Sequence, residues 1–97
     1  MMSLTEKLRD FAGALAVAST DAPDDYPEWG YTTYESNMAD LKELWAEIRP
    51  KLKKDVEQAE FIESKLQEAF FAFDAKEKAA GSKAILMIYN LDVKKLR

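Results

Sequence analysis

The chain has 97 residues, enough for one domain with a single modest core. It contains no Cys and no His, which excludes a disulfide scaffold, a thiolate metal centre and acid–base chemistry built on imidazole. Eighteen acids against fourteen bases give a net charge of −4, unsuited to general nucleic-acid binding, and no apolar run approaches the roughly 20 residues of a membrane span.

The first helix is predicted over residues 4–18. Ser3 and Glu6 have the spacing of a capping box. Leu4, Leu8, Phe11 and Leu15 recur at helical intervals, and Ala12, Ala14, Ala16 and Ala18 offer small surfaces for a close neighbour. Residues 11–18 are short and apolar and follow Lys7 and Arg9, as in a secretory leader. Glu6 and Asp10 interrupt that positive region, so the segment reads as a helix and a cytoplasmic location is expected.

Residues 19–31 read as a loop, with Pro23, Pro27, Gly30 and several Asp as helix breakers. A second helix begins near Thr32 or Thr33, with Thr32 and Glu35 as its capping pair. Tyr34, Met38, Leu41, Trp45, Ile48 and Leu52 form the cleanest amphipathic stripe in the chain. Pro50 disfavours helical geometry at Arg49, so the helix either ends around 49–54 or continues with a kink; a break is favoured, with Asp55 and Gln58 capping the next helix.

The third helix is predicted from about 55 to 80. Its stripe is Val56, Ala59, Ile62, Leu66, Ala69 and Phe73, with an Asp74–Lys78 pair and Gly81 just beyond its end. Residues 84–89 are apolar enough for a buried strand, but no second strand exists to pair with it. A fourth helix capped by Ser82 and running toward Arg97 is therefore expected. Ile85, Ile88, Tyr89, Asp92 and Leu96 share one side of it, with Leu86 and Val93 adjacent. The sum is an all-α fold: residues 1–97 as a single domain, a small bundle of three to four antiparallel helices with a long acidic, aromatic loop after the first helix.

The charge pattern has a gap. No Lys or Arg occurs between Arg9 and Lys42, while seven acids do, so residues 10–41 carry −7 and the remainder +3. Inside the gap Asp21, Asp24, Asp25 and Glu28 surround Tyr26, Trp29, Tyr31 and Tyr34. Carboxylates of this kind steer a basic protein partner, and Tyr and Trp anchor it by burying large rigid surfaces. The same aromatics equally suit a lid folded over the bundle end, with the acids as its solvated rim.

Two rival constellations arise. Glu57-Gln-Ala-Glu60 resembles the first half of the E-x-x-E…E-x-x-D pattern by which all-α nucleotide pyrophosphohydrolases hold Mg2+, with Glu43, Glu47 and Glu63 nearby in a bundle. No E-x-x-D occurs in the chain, so the second half of that site is missing. Phe61, Phe70, Phe71 and Phe73 crowd one helix, which suits a symmetric homodimer through a shared face, with Phe61, Phe70 and Phe71 as the contact. The serines lack a base, the glycines form no phosphate loop, and Lys94, Lys95 and Arg97 are too few for a nucleic-acid patch. The sequence thus points to a non-enzymatic binding protein without cofactor or metal, of inhibitor, immunity, antitoxin or modulator type. The alternative is a purely structural helical assembly subunit.

Overall fold

The computed structural model of the chain describes residues 3–97. Four helices form an up-and-down bundle: α1 (Leu4–Asp21), α2 (Tyr34–Ile48), α3 (Val56–Asp74) and α4 (Lys78–Tyr89). Single 3-10 turns follow α2 at Arg49–Lys51 and α4 at Val93–Lys95.

The helix stripes become the core as the periodicity requires. Leu8, Phe11 and Leu15 of α1 meet Met38, Leu41, Trp45 and Ile48 of α2, and Ile62, Leu66 and Phe73 of α3 meet Ile85 and Ile88 of α4. Each such burial stabilises by about 1.5–3 kcal/mol before the entropy of ordering is counted. Phe11 stacks on Trp45 with ring centroids 5.6 Å apart. Val56 is the exception in the α3 stripe; at the first turn it lies exposed.

The small residues of α1 decide the layout. Buried Ala12 and Ala18, with half-buried Ala14, let α1 pack closely on both α2 and α4. The backbones of α2 and α3 stay further apart and are joined by long side chains. Trp45 Nε1 donates to Glu63 Oε2 at 2.6 Å, Arg49 pairs with Glu63 at 3.3 Å, and Lys42 lies 5.0 Å from the Phe70 ring centre.

Several boundaries differ from the sequence expectation. α1 continues to Asp21, so the loop is residues 22–33. Thr33, not Thr32, caps α2, and its partner is Ser36 rather than Glu35: each side chain accepts from the other's backbone N–H. Pro50 does not push Arg49 out of helical geometry (φ −53°, ψ −47°): α2 runs on into the 3-10 turn through Lys51, and the chain leaves the helix only at Leu52, which is extended and buried. Asp55 precedes α3 without a side-chain cap; its carboxylate accepts instead from Arg97 N at 2.8 Å.

The largest correction lies at the end of α3. The helix stops at Asp74, not near residue 80, and Lys76 takes the left-handed position (φ 63°) that glycine usually fills. Lys76 N donates to Phe73 O and Glu77 N to Ala72 O, the two bonds of a Schellman closure. Gly81 is not the terminator; it lies in the first turns of α4, where a Cβ would come within 2.3 Å of the buried Phe73 ring. Its role is space, not backbone freedom. Ser82 is inside α4 rather than its cap, and its hydroxyl donates to Ser19 O of α1 at 3.0 Å. Nor does the last helix reach Arg97. It ends at Tyr89, and Asp92 turns left-handed (φ 57°), which folds Val93 and Leu96 back into the core.

Candidate functional site

The eight residues singled out in the acidic, aromatic segment divide into two sets. Asp24, Asp25, Tyr26 and Tyr34 hold the loop down. Glu28, Trp29 and Tyr31 form a projecting tip, and Asp21 remains at the end of α1.

The anchor begins with Asn37, one turn into α2 and 2 % exposed. Its amide donates to the Ala14 carbonyl at 3.2 Å, and its Oδ1 accepts from the Tyr26 hydroxyl at 2.6 Å. A buried amide demands partners, and here one of them comes from the loop. Burial pushes the Tyr26 phenol up, with the charges of Asp21 and Glu35 and the nearby Tyr34 adding to the shift. Tyr34 sets its ring edge against Phe73, centroids 6.4 Å apart, and donates to Asp74 Oδ1 at 2.9 Å. Its phenol is pushed up to about 12, first by burial and then by that hydrogen bond and the surrounding carboxylates. Tyr26 and Tyr34 thus face inward as struts, not outward as anchors for a partner.

The second tether is electrostatic and comes from the α3–α4 turn. Lys76 Nζ lies 3.2 Å from Asp24 Oδ1, and Lys78 Nζ pairs with Asp25 Oδ2. Lys78 also donates to the Thr20 carbonyl at 2.8 Å, covering a free carbonyl at the C-terminus of α1. A lysine at the first position of α4 opposes that helix's own dipole, and its placement makes sense as a cap for α1. The expected Asp74–Lys78 pair does not form; each residue serves the loop region instead. Asp24 and Asp25 therefore spend their charge within the chain.

The tip is different. Gly30 N donates to Pro27 O at 3.1 Å, closing a tight turn. On either side of that glycine Trp29 is 87 % exposed and Tyr31 is 102 % exposed. Neither is a lid over the bundle. Glu28 beside Trp29 makes no salt bridge among the described residues, and neither do Glu35 and Asp21. Two bare aromatic rings with uncommitted carboxylates thus stand on a loop fastened at both flanks.

The glutamates of the Mg2+ pattern disperse. Glu63 accepts from Trp45 and Arg49, Glu47 pairs with Lys7 at 3.3 Å, and Glu57 and Glu60 are exposed on α3. Among the described residues no three His, Cys, Asp or Glu side chains gather closely enough to hold a metal ion, and no helix is long and apolar enough to cross a membrane. Of the three phenylalanines expected at a dimer face, Phe61 and Phe70 are half-buried under Lys65 and Lys42, and Phe71 is 77 % exposed. Comparison of the chain with family models, curated proteins and solved structures gives no match in any of the three.

Proposed function

We propose that this is a non-enzymatic protein-binding module that engages a basic protein partner through the Trp29–Tyr31 tip, in the manner of an inhibitor, immunity factor or modulator. The observation that carries the reading is the contrast within one loop: Tyr26, Asp24 and Asp25 are tied to the bundle while Trp29 and Tyr31 are left bare. Exposed rings cost solvation, and a tethered loop presents them with little entropy left to lose on binding. Glu28 and Glu35 supply the uncommitted negative charge that steers and orients a cationic surface.

The test is quantitative capture from native lysate by wild type and by Trp29→Ala/Tyr31→Ala. Because both side chains are exposed, stability should change by less than about 0.5 kcal/mol. Capture should weaken by at least about thirty-fold, the scale of a hot-spot loss. Retained capture at unchanged stability sinks the reading. The exposure of Phe71 favours a second reading, a helical assembly subunit that associates through α3. Retained capture by the tip variant together with loss on Phe71→Ala selects it.

A further inference from the structure

The end of the bundle away from the loop collects the cations that residues 10–41 lack. There the first turns of α1, the segment after the Arg49–Lys51 turn and the chain around Arg97 enclose a cleft of ≈ 650 Å3. Half-buried Leu4, with the covered edges of the core residues Leu8 and Leu96, forms its apolar floor. Lys51, Lys53, Lys54, Lys94, Lys95 and Arg97 ring it, and among the described residues no carboxylate side chain lines it. Lys95 pairs with Asp92 at 3.4 Å; the other four lysines make no salt bridge among the described residues. Three of these cations are far from the other three in sequence. A clasp brings them together: Arg97 O accepts from Lys54 N at 3.1 Å and Asp55 N at 3.0 Å, and Asp55 Oδ2 accepts from Arg97 N.

We propose that the partner of the Trp29–Tyr31 tip is this basic cleft on a second copy of the chain, so that the protein associates head to tail. This rests on the tip being a docking element, as argued above. The two surfaces complement each other in both respects that matter. The tip offers aromatic rings with free carboxylates, and the cleft offers an apolar floor with free ammonium groups. They cannot meet within one molecule. α1 begins at the cleft and ends at the loop, and its 18 residues hold the two sites roughly 27 Å apart. The leucines in the lining favour an aromatic peptide surface over the uniformly charged phosphate backbone of a nucleic acid. A contact between two different patches is heterologous, so each added copy leaves a free tip at one end and a free cleft at the other. The product is an open chain whose length grows with concentration and shrinks with salt.

Sedimentation velocity tests this. Wild type should gain mass with concentration at about 0.05 M salt and return to monomer at about 0.5 M, where screening acts over a few ångströms. Two variants each disable one side: Trp29→Ala/Tyr31→Ala, and Lys51→Glu/Lys53→Glu/Lys94→Glu. All five residues are exposed, and circular dichroism checks that both variants fold. Each alone should stay monomeric. Mixed, they should form a one-to-one dimer and nothing larger, because the first keeps its cleft and the second its tip. A symmetric contact cannot give that result. Monomeric wild type up to about 1 mM overturns the proposal. So does self-association that both variants retain. If wild type is monomeric while lysate capture still needs Trp29 and Tyr31, the tip reading stands and only the self-partner falls. Salt-sensitive binding of a labelled oligonucleotide, lost in the lysine variant and without self-association, overturns it in favour of a nucleic acid.

Discussion

At one end of the bundle Asp24 and Asp25 are matched by Lys76 and Lys78; at the other, four lysines around a cleft make no salt bridge among the described residues. The acidic end is also the more tightly built. Tyr26 reaches Asn37, Tyr34 reaches Asp74, and Phe73 fills the space left by Gly81. The basic end is closed by bonds from the Arg97 backbone to Lys54 and Asp55, and Lys51, Lys53, Lys54 and Lys94 make no salt bridge among the described residues. The difference teaches that a run of like charge in sequence does not translate directly into a like-charged surface. Lys76 and Lys78 pair with Asp24 and Asp25 near the start of the loop, and the other five acids of residues 10–41 make no salt bridge among the described residues.

The sharpest way to break the comparison is Gly81→Ala. A helix interior ordinarily gains about 1 kcal/mol from this change. Here the new methyl enters the volume of a fully buried ring, so the variant should instead be about 2 kcal/mol less stable by denaturant titration. A neutral or stabilising result would mean that Phe73 yields and that the acidic end is not rigidly packed.

Asn37→Ala should cost less, about 1 kcal/mol. It removes the acceptor of the Tyr26 hydroxyl, although the half-buried Tyr26 can turn to water and the Ala14 carbonyl keeps its place in the α1 ladder. Its more telling effect is on the loop, whose amide hydrogen exchange should quicken while that around Lys54 and Asp55 stays as it was. Equal quickening at both ends would show that the two are not independently held.

The smallest effect is alkaline. The Tyr34 phenol titrates near 12 in the folded protein against 10.0 unperturbed. A raised value means that the folded state holds the proton more firmly. This contribution to stability is therefore complete below pH 10 and is lost as pH rises through about 12. Tyr34→Phe should remove a tyrosinate absorbance step near that upper value. A step lost near 10.0 instead would mean that burial and the Asp74 bond do not hold the Tyr34 proton in solution.

How much of this could be read beforehand depends on the range of the signal. The α2 stripe from Met38 to Leu52 is buried as its spacing foretold, because amphipathic period and helix are one physical fact. The end of α3 was not legible. Gly81 looked like a terminator, yet the terminator is Lys76, a residue with no preference for a left-handed backbone. The same holds for the loop. Its composition announced an aromatic, acidic surface, but not that Tyr26 and Tyr34 would turn inward while Trp29 and Tyr31 turned out. Asn37, the pivot of that division, carried no warning beyond being a polar residue one position from Met38 in the buried stripe.

By itself, the sequence determined the helical class, the apolar stripes of the first three helices and the segregation of charge along the chain. These are properties of near neighbours, set by side-chain period and backbone sterics. Only the tertiary structure decided which acids are neutralised, which aromatics are free, and that lysines over forty residues apart ring one cleft. Those outcomes depend on which helix ends meet, and ion pairs and buried amides between distant segments exist only after packing has brought them together.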